Sequence, residues 1–148
     1  MIFYTIGYEG LDPKQFITYL THYGVDVVAD IRKLPVSRKK GFSKTALKEM
    51  LDDKRIDYLN FQQLGAPKAL RDELYRSGDY GQFFKKYQEN ISDKGDHLNS
   101  IHSLVDRGKK VALLCFERDP KKCHRKVVAE EIQKLDGNGL TIKNIVPI

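Results

Sequence analysis

The chemistry-bearing residues of this chain are concentrated in Val111-Ala-Leu-Leu-Cys-Phe-Glu-Arg-Asp-Pro-Lys-Lys-Cys-His-Arg125. Cys115 and Cys123 bring thiols, His124 an imidazole and Glu117 a carboxylate, while Arg118, Lys121, Lys122 and Arg125 bring positive charge. Three chemistries are open to such a set. A carboxylate in a partly dry cleft serves as acid, base or nucleophile, and a second carboxylate nearby pushes the two pKa values apart. A cysteine in the first turn of a helix, flanked by Lys122, His124 and Arg125, is held toward its reactive thiolate. Arginine binds phosphate through a planar pair of N–H donors.

The spacing narrows these choices. A tyrosine-phosphatase-like loop needs an arginine six residues after its cysteine, and Lys121 and Ala129 stand at those places. Cys115, Cys123 and His124 lack the paired short spacings of zinc modules, so no metal site is expected. Cys115 ends an apolar run and reads as core. Cys123 reads equally as a reactive thiolate or as a residue packed under a helix. With only Cys115 and Cys123 in the chain there is no disulfide framework, and both are expected as thiols.

Further candidates follow the other apolar runs. Glu9 follows Ile2–Ile6 much as Glu117 follows Val111–Phe116, and Asp30 lies near the end of Val25–Ile31. If the first and the Val111 strands are neighbours, Glu9 and Glu117 converge. Asp30 also reads as a structural partner of Arg32. The basic loop after Asp30 brackets Pro35 with Arg32, Ser37 and Arg38, a plausible anion site, whereas Lys39-Lys40 reads as a solvated face. Tyr8, Phe42 and Tyr80 are candidates to stack on a base, though aromatic residues more often belong to the core. Gly7-Tyr-Glu-Gly10 matches neither the dinucleotide fingerprint nor the P-loop, and no cofactor is expected. His22, His97 and His102 read as helix-surface residues.

The elements that must position these groups alternate. Strands are expected at Ile2–Ile6, Val25–Ile31, Ile56–Phe61, Val111–Phe116 and Thr141–Val146. Asp12-Pro13 and Asp119-Pro120 each join an N-cap to a proline that needs no N–H, so helices should follow both, the second over Pro120–Leu135. Ser43 is a plausible N-cap for Lys44–Asp53, and helices are expected near Lys68–Arg76, Tyr80–Asn90 and His97–Asp106. The pattern predicts one α/β domain over residues 1–148, a mainly parallel sheet of about five strands flanked by helices in Rossmann-like or flavodoxin-like layering. The helical Lys68–Asp106 stretch should cover one end of the site. In such sheets ligands bind outside the strands' carboxyl ends, where all these candidates fall.

Composition sets the outer bounds. With 41% hydrophobic and 31% charged residues the chain is globular rather than disordered. No run approaches the ~20 apolar residues of a membrane span. The Met1-Ile-Phe-Tyr4 start lacks the regions of a signal peptide, so a cytoplasmic protein that does not engage membranes is expected. The net charge of +6 favours phosphate-bearing partners or simply solubility.

Thr5-Ile-Gly-Tyr-Glu9, Asp30-Ile-Arg-Lys-Leu-Pro-Val-Ser-Arg38, Leu64-Gly65 and Leu114-Cys-Phe-Glu-Arg-Asp-Pro-Lys-Lys-Cys-His-Arg125 together resemble the signatures of the domain of unknown function 488 family of bacterial and archaeal proteins. The resemblance implies a compact α/β domain and assigns no reaction. Gly7, Tyr8, Asp30, Arg32, Pro35, Ser37, Arg38, Glu117, Cys123, His124 and Arg125 fill its motif positions.

The reading carried forward is an enzyme of hydrolase or transferase type acting on a nucleotide or nucleic acid. Glu117, Glu9, Asp30 and Cys123 are the catalytic candidates, and Tyr8, Arg32, Ser37, Arg38, His124 and Arg125 the anion-binding ones. A thiol enzyme or redox sensor built on Cys123, and a non-catalytic nucleic-acid-binding module, are the alternatives.

Overall fold

The apolar run beginning at Val111 becomes a strand, Val111–Cys115 (β4), with every residue buried. Burial on both faces is what the middle of a parallel sheet requires. The computed structural model describes residues 1–147 and joins this strand to Ile2–Gly7 (β1), Val27–Asp30 (β2), Asp57–Asn60 (β3) and Thr141–Ile145 (β5). The sheet is all parallel, in the order β3-β2-β4-β1-β5. With its six helices it forms the single α/β domain expected of the alternating pattern.

Alternation along the strands sorts the core into two layers. Tyr4, Ile6, Val28, Ala112 and Leu114 face the helices Pro13–His22 (α1) and Lys44–Asp53 (α2). Phe3, Val27, Ala29, Leu113 and Cys115 face Tyr80–Ile91 (α4), Gly95–Asp106 (α5) and Arg125–Asp136 (α6). Lys68–Ser77 (α3) packs on that second layer through Leu70 and Leu74. The chain thus leaves β4 toward one face, while it leaves both neighbours, β1 and β2, toward the other. Connections that part in this way open a crevice at the strands' carboxyl ends. Among the described residues no helix is long and apolar enough to cross a membrane.

The two Asp-Pro signals have different outcomes. Asp12 caps α1 in a reciprocal box, accepting from the Gln15 amide at 2.8 Å while its own amide donates to Gln15 Oε1 at 3.0 Å. Asp119 caps only one 3-10 turn, Pro120–Lys122, instead of the helix expected over Pro120–Leu135. Cys123 then turns extended (φ −137°, ψ 143°), and α6 starts at Arg125 with His124 as its N-cap. The physical reason is burial: Cys123, His124 and Arg125 all turn inward, and one continuous helix through Lys121 and Lys122 would compete with that. Ser43 precedes α2 without capping it, because its hydroxyl receives the Ser37 amide at 3.0 Å.

Two motif glycines let the strand exits close on one another. A Cβ on Gly7 would fall 1.7 Å from the Glu117 carbonyl oxygen, and one on Gly65 would fall 2.3 Å from the Lys33 backbone. Close approach at Gly7 lets the β1–β4 ladder run past the strand ends, Tyr8 N donating to Cys115 O at 3.2 Å and Glu9 N to Phe116 O at 2.8 Å. Gly7→Ala should therefore lower unfolding stability by at least about 2 kcal/mol, as overpacking against rigid backbone does. Gly95→Ala, at the start of α5 with open space around it, should change it by less than about 0.5 kcal/mol. Urea denaturation of both variants checks the contrast.

Candidate functional site

The crevice holds a cleft of about 560 Å³ walled by the exits of β1, β2 and β4 and by α3. Tyr8, Arg32, Ser37, Arg38, Glu117 and His124 line it, with Cys115 behind them. A second cavity of about 240 Å³ is lined by Glu9, Lys122 and Cys123, and Arg71, Tyr75, Phe116, Glu117 and His124 border both spaces. Glu9, Glu117, Cys123 and the β2 loop thus meet at one sheet edge. Asp30 and Arg125 lie beneath it and border neither space.

Asp30 is fully buried. Its carboxylate accepts from the Arg32 amide (3.0 Å), from Arg32 Nε (2.9 Å) and Nη2 (2.8 Å), and from the Tyr58 hydroxyl (2.5 Å). Burial raises the Tyr58 phenol, and the Asp30 charge raises it further, so it stays a donor. Arg32 in turn donates through Nη1 to the Phe42 carbonyl at 2.6 Å and the Tyr8 hydroxyl at 3.3 Å. Its guanidinium is largely consumed inside the protein. Tyr8 stacks on Phe42, ring centroids 4.5 Å apart, and both rings are buried, so these aromatics are core rather than a platform for a base.

Arg125 is buried completely. Its Nε donates to Thr5 Oγ1 at 3.2 Å, Nη1 to Cys115 Sγ at 3.3 Å and to the Glu117 carbonyl, and Nη2 to the Arg118 carbonyl at 3.2 Å. Burial lowers its pKa to about 10, which leaves it charged at neutral pH. The expected anion ligand is instead a pin that holds the β4 exit, because its reach from α6 ends in the core rather than in the cleft.

Glu117 is half-buried at the junction of the two spaces. Burial raises its carboxyl above the usual carboxylate range, and Glu9 adds to that while Arg125 and Arg71 oppose it. The second carboxylate is oriented by the chain, with the Arg118 amide donating to Glu9 Oε1 at 2.9 Å. His124 is buried, and burial holds its imidazole down at about 4, hence neutral. Its Nε2 lies 3.0 Å from the Ile31 carbonyl, which can only accept, so the proton is on Nε2 and Nδ1 is bare. Nδ1 lies 3.8 Å from Cys123 Sγ. Neither cysteine is a free thiol: the two sulfurs meet as a disulfide, which corrects the expectation of separate thiols. The helix break at Cys123 is what allows the meeting.

One residue escaped the sequence reading. Arg71, on α3, lines both spaces, and its Nε is buried without a hydrogen-bond partner. No hydrogen bond or ion pair engages its guanidinium among the described residues. Nothing in its spacing within Lys68–Ser77 distinguishes it from the other charges of that helix. The only available signal was the placement of that helix over the site.

With this geometry in place, the chain belongs to the family described as domain of unknown function DUF488, whose model matches residues 12–132. The Thr5–Glu9 motif precedes the matched stretch, while the Asp30–Arg38 and Leu114–Arg125 motifs lie within it. No curated protein and no solved structure gives a significant match.

Asp30 and Arg38 separate support from surface. Asp30→Asn should cost about 3 kcal/mol of stability, because it leaves the buried Arg32 charge without its partner. Arg38→Ala removes an exposed side chain and should stay within about 0.5 kcal/mol of the parent. Chemical denaturation measures both.

Proposed function

We propose that the cleft is the active site of an enzyme that cleaves or transfers a group of a phosphate-bearing substrate of nucleotide type, with Glu117 as general acid. The observation that carries this reading is Arg71: a guanidinium that no hydrogen bond or ion pair engages among the described residues, lining the same space as a carboxyl raised by burial. A buried N–H left without an acceptor is costly, and a bound anion supplies the acceptor. Arg38, Lys33 and Lys39 line the same cleft and add positive charge for a phosphate.

The rest of the lining suits a nucleoside. Leu34, Val36 and Tyr75 are 60%, 75% and 78% exposed and border the cleft. Exposed apolar side chains gathered around a cationic pocket mark a ligand with both an apolar and an anionic part. The volume falls within the roughly 300–1,000 Å³ of small-molecule sites. Nucleic acid enters as a substrate presenting one nucleotide to this cleft.

In this scheme Arg71 and the loop cations hold the phosphate. The protonated Glu117 carboxyl donates to the leaving atom as its bond breaks, and Glu9, held by the Arg118 amide, takes the proton of the attacking group. Asp30 acts through Arg32 and Tyr8 on the shape of the wall, as a positioning residue.

Glu117→Gln should lower turnover about a hundredfold or more in a screen of nucleotide substrates, while nucleotide-induced thermal stabilisation persists. Arg71→Ala should abolish that stabilisation. Activity should be present below the raised Glu117 pKa and fall as pH rises through it, since the acid form is then lost. Full turnover in Glu117→Gln would remove Glu117 from its role. Binding that needs long nucleic acid, falls steeply with salt and survives Arg71→Ala would instead assign the basic face to a binding module.

A further inference from the structure

We propose that Cys115 and Cys123 form a reversible dithiol–disulfide couple, exchanged with small thiols through the cavity behind Glu117, in which Arg125 holds the reduced Cys115 as a thiolate. The proposal does not depend on the substrate assigned to the cleft.

Arg125 is a buried charge without a hydrogen-bonded counter-ion among the described residues, and Glu117 and Asp119 act on it only through space. The fully buried Arg125 guanidinium donates to a hydroxyl, two backbone carbonyls and the Cys115 sulfur, and to no carboxylate among the described residues. Buried charges are ordinarily paired. A disulfide sulfur offers the guanidinium a neutral, weak acceptor, whereas a Cys115 thiolate would be a full counter-charge at the 3.3 Å contact already in place. The surroundings of Cys123 also favour the reduced form. Its sulfur receives the Arg125 amide at 3.5 Å, at the start of α6, and the bare Nδ1 of His124 at 3.8 Å is placed to accept a hydrogen bond from its S–H. A couple whose reduced form is stabilised in this way is readily reduced.

Access comes from the second cavity, whose lining includes Cys123. The thiolate of a small dithiol attacks Cys123 Sγ, the bond to Cys115 breaks, and its electron pair leaves on Cys115 against Arg125. The second thiol of the reagent then displaces Cys123 and departs as the reagent's own disulfide. Two electrons enter the protein; one reagent proton ends on Cys123 and the other in solvent. Arg125 also carries the Glu117 and Arg118 carbonyls, so the redox state of the pair is felt at the exit that positions Glu117.

Glutathione buffers of graded composition, acid quench, and alkylation after denaturation count the thiols of the whole native chain. The pair should follow the glutathione ratio as one two-electron step without unfolding. The titratable and charged groups around the pair are Arg125 on α6, the neutral His124 that caps it, Lys122 before Cys123, Glu117 after β4, Glu9 after β1 and Arg71 on α3. With Cys115 released as a thiolate, one proton is lost per turnover of the exchange. The glutathione ratio at half-reduction, written as thiol squared over disulfide, should then fall tenfold per pH unit below the glutathione pKa. Two bound protons would make it independent of pH, and that result overturns the role of Arg125. Arg125→Lys, which cannot present the same fork, should shift the ratio toward disulfide about tenfold or more. The pH series on the unaltered protein stands if that variant does not fold. A pair reducible only after denaturation, thiols that oxidised glutathione never joins, or a reduced protein that takes up one Zn²⁺ per chain would each refute the couple.

Discussion

The exit of β4 depends on one buried cation. Arg125 reaches from the first turn of α6 to the carbonyls of Glu117 and Arg118, the hydroxyl of Thr5 and the sulfur of Cys115. Beyond Phe116, whose carbonyl still accepts from the Glu9 amide, the chain has backbone acceptors and no ladder to satisfy them, and an apolar side chain in the place of Arg125 would leave them orphaned. The guanidinium, with donors fixed in a plane, answers several at once. Gly7 is the matching concession on β1, since any side chain there would strike the Glu117 carbonyl that Arg125 holds. That contact set ties β1, the end of β4 and the turn that carries Glu117 to the first turn of α6.

The exit of β2 is secured on the same principle by a different chemistry. Asp30 and Arg32 form an ion pair at 2.8 Å, and Tyr58 and the Arg32 amide complete the carboxylate's acceptors. Breaking either partner leaves a stranded charge, so the pair is worth more as a fixed corner than as net stability. Its outer donors reach the Phe42 carbonyl and the Tyr8 hydroxyl, which ties the basic loop to β1. Two polar clusters, one under each neighbour of the crevice, thus make the walls rigid while the residues that face solvent stay free. A site built on such exits is positioned by strands rather than by its loops.

Much of this was legible in the residues. Val111–Cys115 announced a central strand by being apolar without interruption, and the pairing of β1 with β4 meets the condition under which Glu9 and Glu117 converge. The helix boundaries through Lys68–Asp106 follow from periodicity and turn residues nearly as drawn. What could not be read is where long side chains end. Arg125 and Arg71 are both arginines near a helix start, and pattern gives each the same solvated or ligand-binding reading. Tertiary contact sends one into the core and leaves the other in the cleft. The break at Cys123 was hidden for a related reason: Asp119-Pro120 is a good local start signal, and the inward pull on Cys123, His124 and Arg125 acts from strands far away in sequence.

Comparison of the arginines also separates structure from function at this edge. Arg32 and Arg125 are buried and engaged on several sides by groups of the protein itself, so their charge is spent on holding the fold. Arg71 has the same chemistry in partly buried surroundings, and no hydrogen bond or ion pair engages it among the described residues. A folded chain that satisfies two guanidinium groups so fully within one crevice has the means to satisfy a third, and a neighbouring Glu117 whose carboxyl is raised by burial is in reach of its field. Leaving the buried Arg71 Nε without an acceptor costs stability. The open guanidinium, more than the number of cations around it, is the ground on which we propose that an anion binds in the crevice.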